Sequence, residues 1–280
     1  MRLEMKDWQV PKRLEMEYLT NLKKIRKIIL ARIKNLTSYQ DIINALESLY
    51  NLKTFKNMAQ TMARRMITNF NDANVKTWRE AAREGSRSRE IFETLHAEIM
   101  SSSNVAIAVR NRIQENANLI VTLPLHVSKE VTKFVGTKAY EGLRSTETAK
   151  ILHEKISDYT RARATLIART ETSKAMTALT EARSLDNGIQ WYIWRTANDG
   201  LRVRESHRLM KDVLCRFRDP PNPEGLNGEK DTGHYNAGNI YNCRCFPRSV
   251  ISIDTIIFPT RVYYNGQILT MTKGQFLSIK

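Results

Sequence analysis

The 280-residue chain has little cysteine and, over its first half, almost no glycine. It contains three cysteines, Cys215, Cys243 and Cys245, and Gly85 is the only glycine before residue 136. Three thiols cannot all pair, so a framework of structural disulfides is not expected. The scarcity of glycine leaves no room for the loop that cradles phosphates in P-loop and dinucleotide-binding folds, which excludes both from this region.

The chain also lacks a long apolar run. No segment approaches the roughly 20 consecutive apolar residues that span a bilayer. The N-terminal sequence MRLEMKDWQVPKRLEME mixes both charges and has no apolar stretch of the kind that directs secretion. We therefore expect a protein made in a reducing cytoplasm, with no membrane among its partners.

Positive charge is what the chain has in excess. Lysine and arginine total 45 against 29 aspartate and glutamate, which leaves a formal net charge of +16. Such an excess favours a polyanionic partner, either nucleic acid or an acidic partner of another kind. A solvated basic surface with no such partner is the alternative.

Hydrophobic spacing predicts a mainly α-helical fold. Apolar residues recur at helical intervals in three early stripes, with Asp41 predicted to cap the second. The first comprises Leu19, Leu22, Ile25, Ile29, Ile33 and Leu36, the second Ile42, Ile43, Leu46, Leu49 and Tyr50, and the third Met58, Met62, Met66 and Phe70. Further helices are predicted over 87–101, 104–118, 128–141, 146–159 and 161–187.

The pattern changes near residue 188. Residues 189–196 alternate like a strand, 249–258 are strand-like, and Asn265-Gly266 is typical of a hairpin turn. The sequence thus predicts an extended helical N-terminal region, 1–160, followed by a small α+β C-terminal domain, 161–280, with short antiparallel strands. Residues 219–239 hold three prolines and four glycines, and a loop of that length is usually functional or pinned.

All three cysteines and one histidine fall within this non-helical part. His207, Cys215, Cys243 and Cys245 match the ligand number and chemistry of a tetrahedral structural zinc. The Cys-x-Cys spacing of Cys243 and Cys245 departs from the usual two to four intervening residues, so a turn is needed to bring both to one ion. Asp199 or His234 are alternatives to Cys215 as fourth ligand.

A second interpretation of these residues needs no metal. Reduced thiols pack well in apolar surroundings, and His207 is then expected to bond Asp199 or a backbone group. The sequence leaves both interpretations open.

Residues 160–250 carry a distinctive combination of motifs. ARTET near the start of a long helix is followed by W…D…R..H, a proline-rich loop and a closing NCRC. The positions concerned include Arg169, Glu171, Trp194, Asp199, Arg204, His207, Asn242, Cys243 and Cys245. This combination resembles the phage head-morphogenesis family, the Mu F-like minor head proteins.

The resemblance implies a minor virion protein. Family members typically enter the phage head in few copies through contact with the portal protein, near the major capsid or scaffolding protein, and stay inside with the DNA. Roles in genome packaging and in delivery or ejection are implied as well. The resemblance implies a structural role for Arg169, Glu171, Trp194, Asp199, Arg204 and Asn242, with no enzyme activity expected.

Two other functions are kept as alternatives. A metal-dependent nuclease or other DNA-acting enzyme is suggested by the polar residues around the loop, although their spacing fits no nuclease motif. A general basic DNA-binding module is suggested by WYIWR, whose aromatic residues are better explained as a core strand. Arg169 and Glu171 are predicted to form a buried or capping ion pair rather than a catalytic one.

Overall fold

The structure is a computed structural model that describes residues 8–84, 88–97, 103–138, 145–197 and 203–279. The first two thirds of the chain are helical. The helices are α1 (Lys12–Ile33), α2 (Tyr39–Asn51), α3 (Lys53–Glu84), α4 (Ser88–Ala97), α5 (Asn104–Lys138) and α6 (Ser145–Asp186). In the part of the chain that is described, no helix is long and apolar enough to cross a membrane.

By contacts the chain divides into two compact units. One comprises Lys12–Thr68 and Asn111–Ala168, and the other comprises Met1–Pro11, Asn69–Arg110 and Arg169–Lys280. The predicted boundary at residue 160 falls inside α6. The assignment of 161–280 to a single domain stays a prediction.

The first unit is built from helices with one apolar stripe each. On α1 four residues of the predicted stripe are buried, Leu22, Ile25, Ile29 and Ile33. Leu19 is only half-buried, and Leu36, also half-buried, lies beyond the end of the helix. A buried hydrogen bond joins α1 to α5, where the Tyr18 hydroxyl donates to Asn116 Oδ1 at 3.1 Å.

Two details of these helices correct the predictions. Ser38, rather than Asp41, is the N-cap of α2, since its hydroxyl accepts the Asp41 N–H. On α3 the predicted row of methionines, Met58, Met62 and Met66, is only partly buried. Met58 and Met62 are half-buried, and the buried stripe is Phe55, Ala59, Ala63, Met66, Ile67 and Phe70.

Helices α5 and α6 are each continuous where two helices were predicted. Pro124 lies inside α5, although a proline costs a helix interior about 3 kcal/mol. Ile120, Leu123 and Val127 are buried on both sides of it, so burial offsets the cost. In α6, no glycine or proline stands between residues 145 and 186 to end the helix.

The second unit contains a five-stranded mixed sheet in the order β3-β1-β2-β4-β5. The later elements are β1 (Trp191–Arg195), α7 (Glu205–Leu209), β2 (Leu214–Arg216), α8 (Pro223–Leu226), β3 (Phe246–Ser249), β4 (Thr260–Tyr264), β5 (Gln267–Met271) and α9 (Lys273–Ile279). The predicted fold class, helical with a small α+β C-terminal part, is confirmed. One strand pair departs from the expected antiparallel arrangement, because β2 pairs with β4 in parallel.

Alternation along β1 separates two buried clusters. Tyr192 and Trp194 belong to a cluster that includes all three cysteines, whereas Trp191 packs with Val262 and Phe276 in another. The β4-β5 hairpin is confirmed, with positive φ at Asn265 (49°) and Gly266 (79°) as a type I′ turn requires. The cysteines therefore lie beneath the sheet face formed by Tyr192 and Trp194.

The predicted strand over 249–258 is wrong for most of its length. Only Ser249 is in a strand, and residues 253–255 form a short 3-10 helix capped by the Ser252 hydroxyl. Ile257 is 87% exposed. Val250 is buried, and Ile251, Ile253, Ile256 and Phe258 pack against apolar clusters. The segment therefore covers most of its apolar side chains without continuing the strand beyond Ser249.

Candidate metal centre

His207, Cys243 and Cys245 come together in the second unit, all three buried. Their ligand atoms lie within 4.8 Å of one another. His207 Nδ1 is 3.5 Å from the Sγ of Cys243 and 3.5 Å from the Sγ of Cys245. A tetrahedral zinc with ordinary bond lengths holds its nitrogen and sulfur ligands about 3.6 Å apart. The spacing of imidazole nitrogen and sulfur therefore fits a tetrahedral ion without rearrangement.

The two cysteines share one centre because the chain turns before β3. Asn242 has φ of 54°, and its backbone N–H donates to Thr170 Oγ1 on α6 at 2.9 Å. Cys245 N–H then donates to Cys243 Sγ at 3.3 Å. The turn that the Cys-x-Cys spacing was expected to need is present, and it directs both sulfurs to the same side.

Gly238 fixes the preceding loop against α6. Its φ is +86°, and a Cβ on it would stand 2.5 Å from the Cys245 carbonyl oxygen and 2.6 Å from Thr177 Oγ1. The Thr177 hydroxyl donates to the neighbouring Ala237 carbonyl at 2.7 Å. Only glycine combines this backbone conformation with such close contact.

A buried hydrogen-bond chain orients the imidazole of His207. The Tyr235 hydroxyl donates to Glu224 Oε2 at 2.5 Å, so its oxygen accepts from His207 Nε2–H at 2.9 Å. Thr232 also donates to Glu224 Oε2, at 2.8 Å. With its proton on Nε2, His207 presents the lone pair of Nδ1 to the two sulfurs. Metal-bound histidines commonly donate the N–H of the far ring nitrogen to an acceptor that is itself held in place in this way.

The surroundings of Glu224 and Cys243 favour the ionised forms of both side chains, and these negative charges would stabilise a bound cation. Burial alone would raise the pKa of Glu224, but hydrogen bonds from Tyr235 and Thr232 outweigh it and lower that pKa. The pKa of the Cys243 thiol is held well below its ordinary value, chiefly by its hydrogen bond with Cys245 and, against the effect of burial, by His207. A thiolate is the form of cysteine that binds metals.

The other predicted ligands are not part of this group. Cys215 lies on β2, where its thiol donates to the Val213 carbonyl, and burial raises its pKa, so it remains neutral. The exposed His234 has Nδ1 2.9 Å from the Pro220 carbonyl oxygen. Asp199 lies outside the described residues. Among described histidine, cysteine, aspartate and glutamate residues, the group has three members.

The remaining motif residues surround the centre. Arg169 Nη1 donates to Asn242 Oδ1 at 2.7 Å, and Arg204 Nη2 donates to the Tyr241 carbonyl at 2.9 Å. The Trp194 ring meets the His207 ring edge-on at 5.6 Å. Glu171 is buried, and its Oε1 lies 3.9 Å from Lys174 Nζ. The hydrogen bond to Asn242 joins Arg169 to the segment that carries the two cysteines.

Sequence reasoning missed Glu224, Tyr235 and Thr232. All three lie in the 219–239 loop. The length and proline content of the loop indicated that it is either functional or held in place, but not which side chains hold it. A buried carboxylate in a loop has no periodic signature, so spacing alone does not reveal it.

A cavity of about 290 Å³ adjoins the centre. Its described lining includes His207, Cys243 and Cys245 together with Arg169, Arg204 and Arg244. The centre is therefore buried in the protein yet open on one side to a small basic space.

Comparisons with known proteins agree with the motifs. The family model described as Phage Mu protein F like protein matches residues 129–247, which confirms the resemblance to the Mu F-like phage head family over that segment. An uncharacterized protein of Haemophilus influenzae is 30% identical over 151 residues, covering 54% of this chain and 31% of the relative. The matched region thus spans about a third of that relative's length. No solved structure matches the chain.

Proposed function

We propose that this chain, which matches the Mu F-like phage head family over residues 129–247, is a minor head protein of a phage capsid. It enters the assembling head through the portal protein, beside the major capsid or scaffolding protein, and remains inside with the genome. The observation that carries this proposal is the family match. Of its motif residues, His207, Cys243 and Cys245 form one buried group, and the hydrogen-bonded Arg169 and Asn242 line the adjoining cavity.

Assembly with the portal can be tested directly. The chain is co-expressed with a portal protein from the same genome, and complexes are separated by size. We expect the two to co-migrate at more than one salt concentration, because a specific interface does not depend on charge alone. Migration of this chain by itself at every salt concentration would refute portal contact.

We propose further that His207, Cys243 and Cys245 hold a structural zinc. The support is the 3.5 Å spacing of imidazole nitrogen and sulfur, the tautomer set by Tyr235, and the lowered pKa of Cys243. Zinc bound there would join the end of the 219–239 loop to α7 and contribute folding free energy. Packing by reduced thiols is the competing explanation.

Metal content distinguishes these explanations. Protein purified without chelator is expected to carry about one zinc per chain, and Cys243→Ser and Cys245→Ser are each expected to lose it. Cys215→Ser is the matched control, since that thiol lies outside the group, and it should keep the metal. Protein with no bound zinc in any of these forms would leave packing as the role of the thiols.

We propose that the net charge of +16 serves non-specific contact with double-stranded DNA inside the head. Each phosphate neutralised by lysine or arginine releases counterions, so log affinity should fall linearly with log salt. Binding of random duplexes is therefore measured between about 50 and 200 mM salt. An affinity that stays flat over that range would remove this role.

Hydrolysis of DNA is the competing function, and one observation favours it. The three-ligand centre opens on a basic cavity, and catalytic zinc sites keep an open coordination position. Incubation of supercoiled DNA with protein and added zinc or magnesium separates the two functions. We expect no nicking, because none of the described carboxylates lies within the ligand group.

A further inference from the structure

Three arginines from separate parts of the chain converge on the turn that carries the two metal-group cysteines. Arg169 comes from α6, Arg204 precedes α7, and Arg244 lies between Cys243 and Cys245. All three line the cavity of about 290 Å³ next to His207. The described residues that line it include no aspartate or glutamate. Three arginines thus stand among the nine described residues of this lining.

Two of these guanidinium groups are held in fixed positions. Arg169 donates to the Asn242 side chain at 2.7 Å, and Arg204 donates to the Tyr241 carbonyl at 2.9 Å while stacking on the Tyr241 ring at 4.5 Å. Both anchors are neutral, so they orient the arginines without cancelling their charge. A preorganised fork of this kind suits a planar or tetrahedral oxyanion.

Each anchored arginine keeps a buried donor with no hydrogen-bond acceptor among the described residues. These donors are Arg169 Nε and Arg204 Nη1. Glu224 Oε1 lies 3.7 Å from Arg204 Nη1, where it balances part of the charge but is too distant for a hydrogen bond. Buried donors left unsatisfied are costly, so these two guanidinium groups keep unused hydrogen-bonding capacity beside the cavity.

We propose that this cavity binds a phosphate group. A phosphate monoester or inorganic phosphate carries up to two negative charges and several acceptor oxygens, which match three guanidinium groups better than a carboxylate does. The cavity is too small for a DNA duplex, so the natural sources are a 5′-terminal phosphate of a nucleic acid or free phosphate. The site goes beyond the proposed virion role and does not depend on it.

The test measures binding of inorganic phosphate to the full chain by titration calorimetry, in chloride buffer at constant ionic strength. We expect saturable binding with one phosphate per chain. Arg169→Gln removes one charge-assisted hydrogen-bond donor and should weaken binding at least tenfold. Arg218→Gln, at an exposed arginine away from the cavity, is the matched control and should bind as the wild type does.

A second variant keeps the test independent of folding. If Arg169→Gln fails to give folded protein, Arg244→Gln is measured in its place, with the same expected loss. The proposal is overturned if the wild type shows no saturable binding, or if Arg218→Gln weakens binding as much as the cavity variants do.

Two further titrations identify the source of the phosphate. A short oligonucleotide with a 5′ phosphate is compared with the same oligonucleotide ending in a 5′ hydroxyl. Tighter binding of the phosphorylated form than of inorganic phosphate supports a nucleic-acid end, and equal or weaker binding supports free phosphate. If the cavity variants lose phosphate but still bind long duplexes with the same salt dependence, the site and the general DNA contact are separate.

Discussion

Gly238→Ala should destabilise the protein far more than the same change at another glycine of the same loop. Gly238 and Gly233 both have positive φ, +86° and +94°. An alanine at either position therefore suffers a similar backbone strain, of about 1–2 kcal/mol. A smaller benefit from the stiffer unfolded chain is also common to both. The two variants differ only in what surrounds the new methyl group.

That difference can be worked out from the distances. At Gly233 no atom lies within 4 Å of an added Cβ, whereas at Gly238 three atoms lie within 3 Å: the Cys245 carbonyl oxygen at 2.5 Å, Thr177 Oγ1 at 2.6 Å and Ser173 Oγ at 2.9 Å. The nearest is backbone and cannot rotate away. Overpacking of this kind costs about 1–3 kcal/mol. We expect Gly238→Ala to lose that much more unfolding free energy than Gly233→Ala.

Urea unfolding of the two variants, followed by far-ultraviolet circular dichroism, measures the difference. Because the strained carbonyl belongs to Cys245, Gly238→Ala should also weaken zinc binding, and Gly233→Ala should not. Equal midpoints for the two variants would refute the close packing of the 219–239 loop on α6.

Three further predictions concern the centre and its supports. Tyr235→Phe removes the acceptor for His207 Nε2–H and should lower zinc affinity about 10- to 100-fold in a competition assay, whereas Tyr39→Phe, at an exposed tyrosine, should not change it. Asn242→Ala should lower the unfolding free energy by about 1–3 kcal/mol, because it places alanine at positive φ and removes the hydrogen bond with Arg169. Asn242→Gly should recover the part of this loss that comes from the backbone. Equal losses for the two variants would contradict this reasoning. Burial raises the pKa of Cys215 in the folded protein. As pH rises above the ordinary thiol range, the unfolded chain therefore loses this proton before the folded protein does. The free energy of unfolding should then fall by about 1.4 kcal/mol per pH unit. Cys215→Ala should reduce that slope by one proton, and an unchanged slope would show that Cys215 does not stay neutral.

The sequence predicted elements whose signals are local. The α1 stripe, strand β1 and the Asn265-Gly266 hairpin each depend on a short-range period or turn. Where burial by distant residues decides, prediction was poorer. Two helices were predicted over 104–118 and 128–141, where one helix continues through Pro124. The segment predicted as a strand over 249–258 instead packs its apolar side chains around a short 3-10 helix.

The same distinction applies to the candidate centre. His207, Cys243 and Cys245 could be chosen from residue type alone, because thiolates and imidazoles are few in this chain. Cys215 was chosen on the same grounds and is not in the group, since its position on β2 turns its thiol to the Val213 carbonyl. Glu224 and Tyr235 could not be chosen, because their role follows from how the 219–239 loop folds back over α7.

The most direct test of the proposed virion role is the location of this chain in purified phage particles before and after DNA release. Particles are treated with protease, and the chain is quantified by mass spectrometry in intact heads, in opened heads and in the released fraction. We predict a few copies per particle that resist protease until the head is opened. Absence of the chain from purified particles, with all of it left in the lysate, would contradict a role inside the phage head.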